Sequence, residues 1–155
     1  MIGSIRGKII LKTDKYLIVE TNGVGYKVNV TTDVLSKAKS PEIFLFIHTQ
    51  VREDAIDLYG FSDLEELNFF EMLLGVSGIG PRSALAILGI ATIETLRKAI
   101  STSDTAYLTK VSGIGRKTAE KIVIELRDKV GEEKAGSSLR GELDALEALK
   151  SLGYS

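Results

Sequence analysis

The chain has 155 residues, a formal net charge of −1, one histidine and no cysteine, with 44% hydrophobic and 26% charged residues. Those proportions belong to a folded globular chain, and the missing cysteines exclude disulfide frameworks, thiolate zinc sites and cysteine nucleophiles. A single histidine, His48, rules out multi-histidine metal sites and leaves little for hydrolytic catalysis, so binding is the function class the composition favours.

Met1 to Lys8 has no apolar stretch behind a basic segment, so no secretory leader is expected there. The longest apolar run, from Ala84 to Ala91 and broken by Gly89, falls far short of the roughly 18 residues of a membrane span. A cytoplasmic protein without membrane contact is expected. Residues 2–60 alternate with the period of strands. Ile5, Ile9 and Leu11 share one side of a first strand, with bends or bulges expected at Gly3 and Gly7. Lys15 to Thr21 is a second strand, Asn22-Gly23 a hairpin turn, and Tyr26, Val28 and Val30 alternate in a third. A short helix is expected from Thr32 or Asp33, then strands at 43–51 and 56–59. His48, at the end of the apolar run 43–47, fits a packed or half-exposed strand position better than a catalytic one. Five short strands in about sixty residues predict a closed barrel of the oligonucleotide-binding (OB) type over residues 1–62.

The period changes at Ser62, where Ser62 and Glu65 fit a capping box. Leu64, Leu67, Phe70, Leu73 and Leu74 follow at helical spacing, and Phe69 and Met72 widen the apolar surface to a helix buried on two sides. Then the sequence repeats. Val76-Ser77-Gly78-Ile79-Gly80 recurs as Val111-Ser112-Gly113-Ile114-Gly115, an offset of 35 residues, and Arg82, Ser83, Ala84, Ile87 and Leu88 answer Lys117, Thr118, Ala119, Ile122 and Val123 in register. This is an internal duplication. After the second copy an apolar face runs through Leu126 and Val130, with Gly131 expected as a helix stop. Residues 132–138 read as a flexible linker, and Leu139, Leu143, Leu146, Leu149 and Leu152 make one further amphipathic helix within 139–155. Residues 63–131 are thus an all-helical unit after the barrel, and the fold class is α+β.

A Gly-Ile-Gly turn between helices has a physical use. Its N–H groups, with those opening the next helix, can point at an anion, and Ile79 and Ile114 would anchor each turn in the core. Arg82 and Ser83 after the first copy, and Arg116, Lys117, Thr118 and Lys121 after the second, put cations and hydroxyls where a phosphate would sit. Gly78, Ile79, Gly80, Gly113, Ile114 and Gly115 complete the candidate DNA-backbone set. Contacts of this kind position a duplex without reading its bases. The charge balance agrees that binding must come from local geometry: residues 63–131 hold nine basic and nine acidic side chains. A single Gly-x-Gly could be a plain tight turn; two identical copies, each followed by cations and hydroxyls, favour the phosphate grip.

These duplicated segments resemble helix-hairpin-helix DNA-binding domains. With Met1-Ile2-Gly3, Gly23-Val24-Gly25-Tyr26, Val51-Arg52-Glu53-Asp54-Ala55 and Leu58-Tyr59-Gly60-Phe61 in the same order, nearly the whole chain resembles the RuvA family of Holliday-junction recognition subunits. The resemblance implies a fourfold homotetramer, in some cases paired as an octamer, working with the hexameric ATPase RuvB. It also implies that Glu53 and Asp54 form an acidic pin at the tetramer centre; unaided, an acidic pair in a strand-to-strand loop reads as a solvated turn. A mobile three-helix C-terminal domain is implied too, of which 139–155 would supply the opening helix, so motor contact would be incomplete. No cofactor, metal or catalytic residue is expected, and no phosphate-binding Gly-x-x-x-x-Gly-Lys-[Ser/Thr] loop is present for ATP. Two rivals stand beside the junction-binding reading: a helix-hairpin-helix repair enzyme, and a single-strand-binding OB module, which would want exposed aromatics on its strands.

Overall fold

A computed structural model describes the backbone of residues 1–151 and 153 and the side chains of residues 1–131, 146–151 and 153. Strands β1 (Ser4–Lys12), β2 (Tyr16–Thr21), β3 (Val24–Asn29), β4 (Glu42–Val51) and β5 (Ile56–Phe61) close into a barrel in the order β1-β2-β3-β5-β4, with β4 paired back to β1. Only the β3–β5 contact is parallel. The two-residue period sends Leu17, Val19, Val28, Leu45, Ile47 and Leu58 into the barrel core. Asn22 and Gly23, at φ 49° and 85°, form the β2–β3 turn with both central residues left-handed, the geometry that matches strand twist. Helix α1 (Thr32–Lys37), capped by the Thr31 hydroxyl, carries the chain from β3 to β4. The expected five-stranded OB barrel is present.

One expectation inside it fails. The bulge in β1 falls between Ile9 and Leu11, not at a glycine. Gly7 stays in register with Ile43, and its missing side chain admits the backbone carbonyl of Glu20 instead. The extra residue turns Leu11 away from the side shared by Ile5 and Ile9, and Leu11 is exposed.

Helix α2 (Leu64–Leu74) starts one residue later than the expected box. Asp63, not Ser62, accepts from the Glu66 N–H at 2.9 Å, and the Glu66 carboxylate accepts from the Ser62 N–H at 3.4 Å. Aspartate caps as well as serine, so the box slides to the acid. Burial, and then the neighbouring Asp63 charge, push the Glu66 carboxyl above the usual carboxylate range. Phe69, Phe70, Leu67 and Leu73 are buried, so α2 is covered on two sides as its sequence predicts. One side meets the barrel: the Phe70 ring lies 4.8 Å from Phe61 and 5.4 Å from Tyr59 between centroids. His48 sits in this seam, edge-on to Phe70, with Nδ1 3.3 Å from Glu71 and Nε2 3.1 Å from Gln50. It is a packed seam histidine. The apolar face of α2 is covered within the chain at Leu67, Phe69, Phe70 and Leu73, while Leu64 at its start stays exposed.

Helices α3 (Pro81–Ile90), α4 (Ile93–Ser101), α5 (Thr105–Leu108) and α6 (Arg116–Ser151) complete the helical unit. Its core includes Val76, Ile79, Ala84 and Ile87 from the first repeat and Val111, Ile114, Ala119 and Ile122 from the second, so both repeats bury the same positions in one cluster. Thr92 caps α4 by accepting from the Thr95 N–H, and Leu96, Ala99 and Ile100 form its buried face. From α4, Arg97 reaches Glu65 at 3.4 Å and the Val130 carbonyl at 3.4 Å, tying α2 to α6.

Residues 132–138 differ from the expected linker: their backbone continues α6 without a break. The stretch contains no proline, and Glu132, Glu133, Lys134 and Ala135 are good helix formers that offset glycines costing about 1 kcal/mol each. Gly131 accordingly lies inside the helix, and the left-handed stop comes at Gly153, φ 82°. Leu146 and Leu149 are exposed. The side chains of Leu139 and Leu143, and all of Leu152, lie outside the described residues.

Candidate nucleic-acid interface

Hairpin 1 (residues 75–80) joins α2 to α3, and hairpin 2 (residues 109–115) joins α5 to α6. In each, the valine N–H donates to the carbonyl three residues back, and the isoleucine N–H donates to the valine carbonyl at 3.1 Å. Gly78 and Gly113 both hold φ at 89°, a left-handed angle open to glycine and costly for other residues. Ile79 and Ile114 are buried. Their N–H groups are therefore spent inside the turn, and these two candidates anchor the hairpins rather than donate outward.

The second glycine of each turn has a different meaning. Gly80 has φ −92°, which any residue adopts, and a Cβ built there would meet nothing within 4 Å; Gly115 is equally open and also lacks a positive φ. The fold has no need of glycine at either place. What glycine provides is a bare backbone approachable from outside, at the mouth of a helix. Helices α1, α2, α4 and α5 each satisfy an N-terminal N–H with a side chain of Thr31, Asp63, Thr92 or Asp104. Helix α3 begins at Gly80 with no side-chain cap, and the Gly115 carbonyl accepts the first turn of α6 from Ala119. Helix geometry leaves the first N–H groups without internal partners, and with the helix dipole they favour an anion.

The candidate side chains lie on the opening turns of α3 and α6. Arg82, Arg116, Lys117 and Lys121 are exposed, and Ser83 and Thr118 are half-buried beside their turns. Arg116 lies along α6 with Nε 3.1 Å from Glu120, so part of its charge is answered within the helix.

Glu53 and Asp54 occupy the tip of the β4–β5 turn, which the Arg52 N–H closes on the Ala55 carbonyl at 2.8 Å. Both are exposed, and among the described residues neither is ion-paired. The nearest cation in sequence, Arg52, turns instead to Asp57 at 2.6 Å. The tip thus keeps its two negative charges. Tyr59 lies below on β5; burial, then Asp57, raises its hydroxyl above the usual tyrosine range, while Arg82 and Arg52 act in the opposite sense. The base of the acidic turn and hairpin 1 therefore share one electrostatic neighbourhood. Among the described residues no three His, Asp or Glu side chains come close enough to share a metal ion, and no helix is long and apolar enough to cross a membrane.

Barrel and duplicated hairpins together define a class: OB-fold proteins carrying a tandem helix-hairpin-helix unit. Residues 1–60 match the RuvA N terminal domain, and residues 70–128 match the SAM-like helix-hairpin-helix tandem. The chain is 46% identical to a protein of Chloroflexus aggregans over all of its own length and 83% of that relative's. It is 44% identical to one of Moorella thermoacetica, covering 100% and 81%, and 42% identical to one of Mycobacterium leprae, covering 99% and 80%. Each of these relatives is named Holliday junction branch migration complex subunit RuvA. The chain belongs to the RuvA family.

Proposed function

We propose that this protein binds four-way (Holliday) DNA junctions by their structure rather than their sequence, as the DNA-recognition subunit of a branch-migration complex in recombination and repair. The observation that carries the reading is the pair of matched hairpins, each ending in a glycine that the fold does not require and each opening a helix onto solvent. Two such mouths hold two phosphates. Gly78, Gly80, Arg82 and Ser83 form one grip, and Gly113, Gly115, Arg116, Lys117, Thr118 and Lys121 the other, with Ile79 and Ile114 fixing both turns to a common core. Phosphate contacts fix position and orientation but carry no base information, which is what a junction of arbitrary sequence needs.

Selectivity for the junction comes from Glu53 and Asp54. Assembled as a homotetramer, four acidic tips meet where strands exchange, and their carboxylates repel a continuous backbone while tolerating separated strands. The subunit itself is non-catalytic; the ATP-driven work falls to a hexameric motor, RuvB, which the helix in residues 139–155 would begin to engage. The protein acts in the cytoplasm.

The test is a competition titration of a fixed four-way junction against a plain duplex, a single strand and a nicked duplex of the same sequence. Junction binding at least about tenfold tighter than duplex, unchanged when the sequence is scrambled, is the expected result. Preference for the single strand would transfer function to the barrel alone, and turnover of the nicked substrate would make the protein an enzyme. Either outcome defeats the reading.

A further inference from the structure

Hairpin 1 faces more than solvent. Helix α3 forms one wall of a cleft of about 1080 Å³ whose other wall is the outside of the barrel. Gly80, Arg82 and Ser83 open the helical wall, and Leu85, Ala86, Gly89 and Ile90 continue it. Strand alternation builds the other wall: Val28 turns into the core, so Lys27 turns out to line the cleft, beside the Tyr16 ring of β2, which does not itself line it. Lys27 Nζ stands 4.5 Å from the centre of the Tyr16 ring, held over its face without being neutralised. Lys15 and Arg52 line the same wall.

Of these four cations only Arg52 is ion-paired among the described residues, with Asp57. Lys15, Lys27 and Arg82 have no carboxylate at salt-bridge distance. Asp14 and Asp57 are the acids of the cleft, so four cations face two carboxylates there, although the whole chain is slightly negative. A groove with low-dielectric walls and one excess sign focuses its field on a ligand of the other sign. A single small anion would meet one wall and leave most of this volume unused. A sugar-phosphate strand is long enough to meet both walls.

We propose that the cleft is a phosphodiester-binding site in which Lys15 and Lys27 of the barrel hold the same DNA strand that hairpin 1 grips at Gly80 and Arg82. The inference rests on the junction-binding reading and extends the contact from the hairpin onto the barrel. None of the residues of hairpin 2 lines this cleft.

The experiment compares the Lys15→Gln/Lys27→Gln variant of the full chain with Lys8→Gln/Lys39→Gln, an equal charge change at exposed sites outside the cleft. Both are titrated with junction and duplex between about 50 and 200 mM salt, beside Arg82→Ala. The cleft variant is expected to flatten the slope of log K against log salt by about two per bound subunit and to weaken low-salt binding roughly tenfold; Arg82→Ala should flatten it by about one. The control variant should stay within about twofold of the parent in affinity. An unchanged slope for the cleft variant, with the Arg82 effect intact, overturns the cleft site and leaves the hairpin reading standing. Unchanged slopes for both overturn the two together. Equal losses in cleft and control variants reduce the effect to overall charge, and a change of mass in light scattering assigns the cleft to a second copy of the chain; both outcomes defeat the proposal.

Discussion

Val76–Gly80 and Val111–Gly115 share a sequence, a φ of 89° at the first glycine and the same internal hydrogen bonds, yet their surroundings differ. Hairpin 1 opens α3 beside the barrel, within reach of Lys15, Lys27 and Arg52. Hairpin 2 opens α6 with no residue in that cleft, and its first cation is drawn to Glu120. Local sequence therefore sets the shape of each turn, because a left-handed glycine and two buried aliphatic anchors suffice to define it. Tertiary neighbours set what each turn can hold. Duplication repeated the turn; the cleft beside hairpin 1 makes the surroundings of the two copies unequal.

The largest effects should come from closing the mouths. A valine in place of Gly80 or Gly115 has open space in the folded chain, so melting should be nearly unchanged. Its side chain would stand where the proposed phosphate approaches the helix N–H groups. Losing a charge-assisted contact of about 1.5–3 kcal/mol predicts roughly 10- to 100-fold weaker binding to junction and duplex alike. Lys117→Ala should cost less, because it removes a side-chain charge and leaves the backbone donors. Fluorescence anisotropy with both DNAs reads the loss. Intact binding by a folded Gly80→Val protein would reduce hairpin 1 to a connector.

Alanine at the first glycines tests the likeness rather than the difference. Gly78→Ala and Gly113→Ala each force a side chain into φ 89° and should destabilise the protein by about 1 kcal/mol or more. The two losses should agree closely, since angle, hydrogen bonds and anchors are the same. Thermal or urea melts of the two variants make the comparison. Unequal losses would show that the barrel side of hairpin 1 bears on its stability as well as on its contacts.

How much of this was legible beforehand follows the same division. The barrel was readable because its strands alternate and Asn22-Gly23 fixes a register, and the hairpins were readable because their pentapeptide repeats. The bulge at Ile10 was not, because it answers to the pairing of β1 with β2 and not to β1's own residues. Residues 132–138 misled because glycine and serine suggest a linker, while the helix entering from Val130 needs only the absence of a breaker to continue. Of the proposed site, the glycines and the cations behind them announce themselves. Lys15 and Lys27 do not: an outward lysine on a strand is ordinary until a helix from elsewhere in the chain closes a groove over it.

A smaller effect is expected at the acidic tip, the part of the interface that belongs to neither hairpin. Glu53→Gln with Asp54→Asn removes two exposed charges per subunit, neither ion-paired among the described residues, which makes eight in the proposed homotetramer. Repulsion among like charges is stronger in a partly desolvated site than in water, although salt screens what remains exposed. Duplex affinity should rise several-fold while junction affinity changes less, so the ratio between them falls. Electrophoretic competition at fixed salt measures that ratio directly. A constant ratio, or weaker junction binding alone, would mean that selectivity comes from the arrangement of the hairpins and not from the tip.

The smallest effect should follow removal of residues 139–155. Hairpin 2 sits at the start of α6, and the buried face of that helix runs through Ala119, Ile122, Val123, Leu126 and Val130, where Arg97 also ends its reach. Farther along, Leu146 and Leu149 are 53% and 48% exposed, so at these positions α6 has little packing to lose. A truncated chain should melt within about 2 °C of the parent, less than a 1 kcal/mol change produces in a domain this size, and should bind junction DNA with the same affinity. If truncation instead weakens hairpin 2 contacts while sparing those of hairpin 1, the length of α6 helps hold its own N-terminus in place. The inequality of the hairpins would then originate in the tail of α6 as well as in the barrel wall.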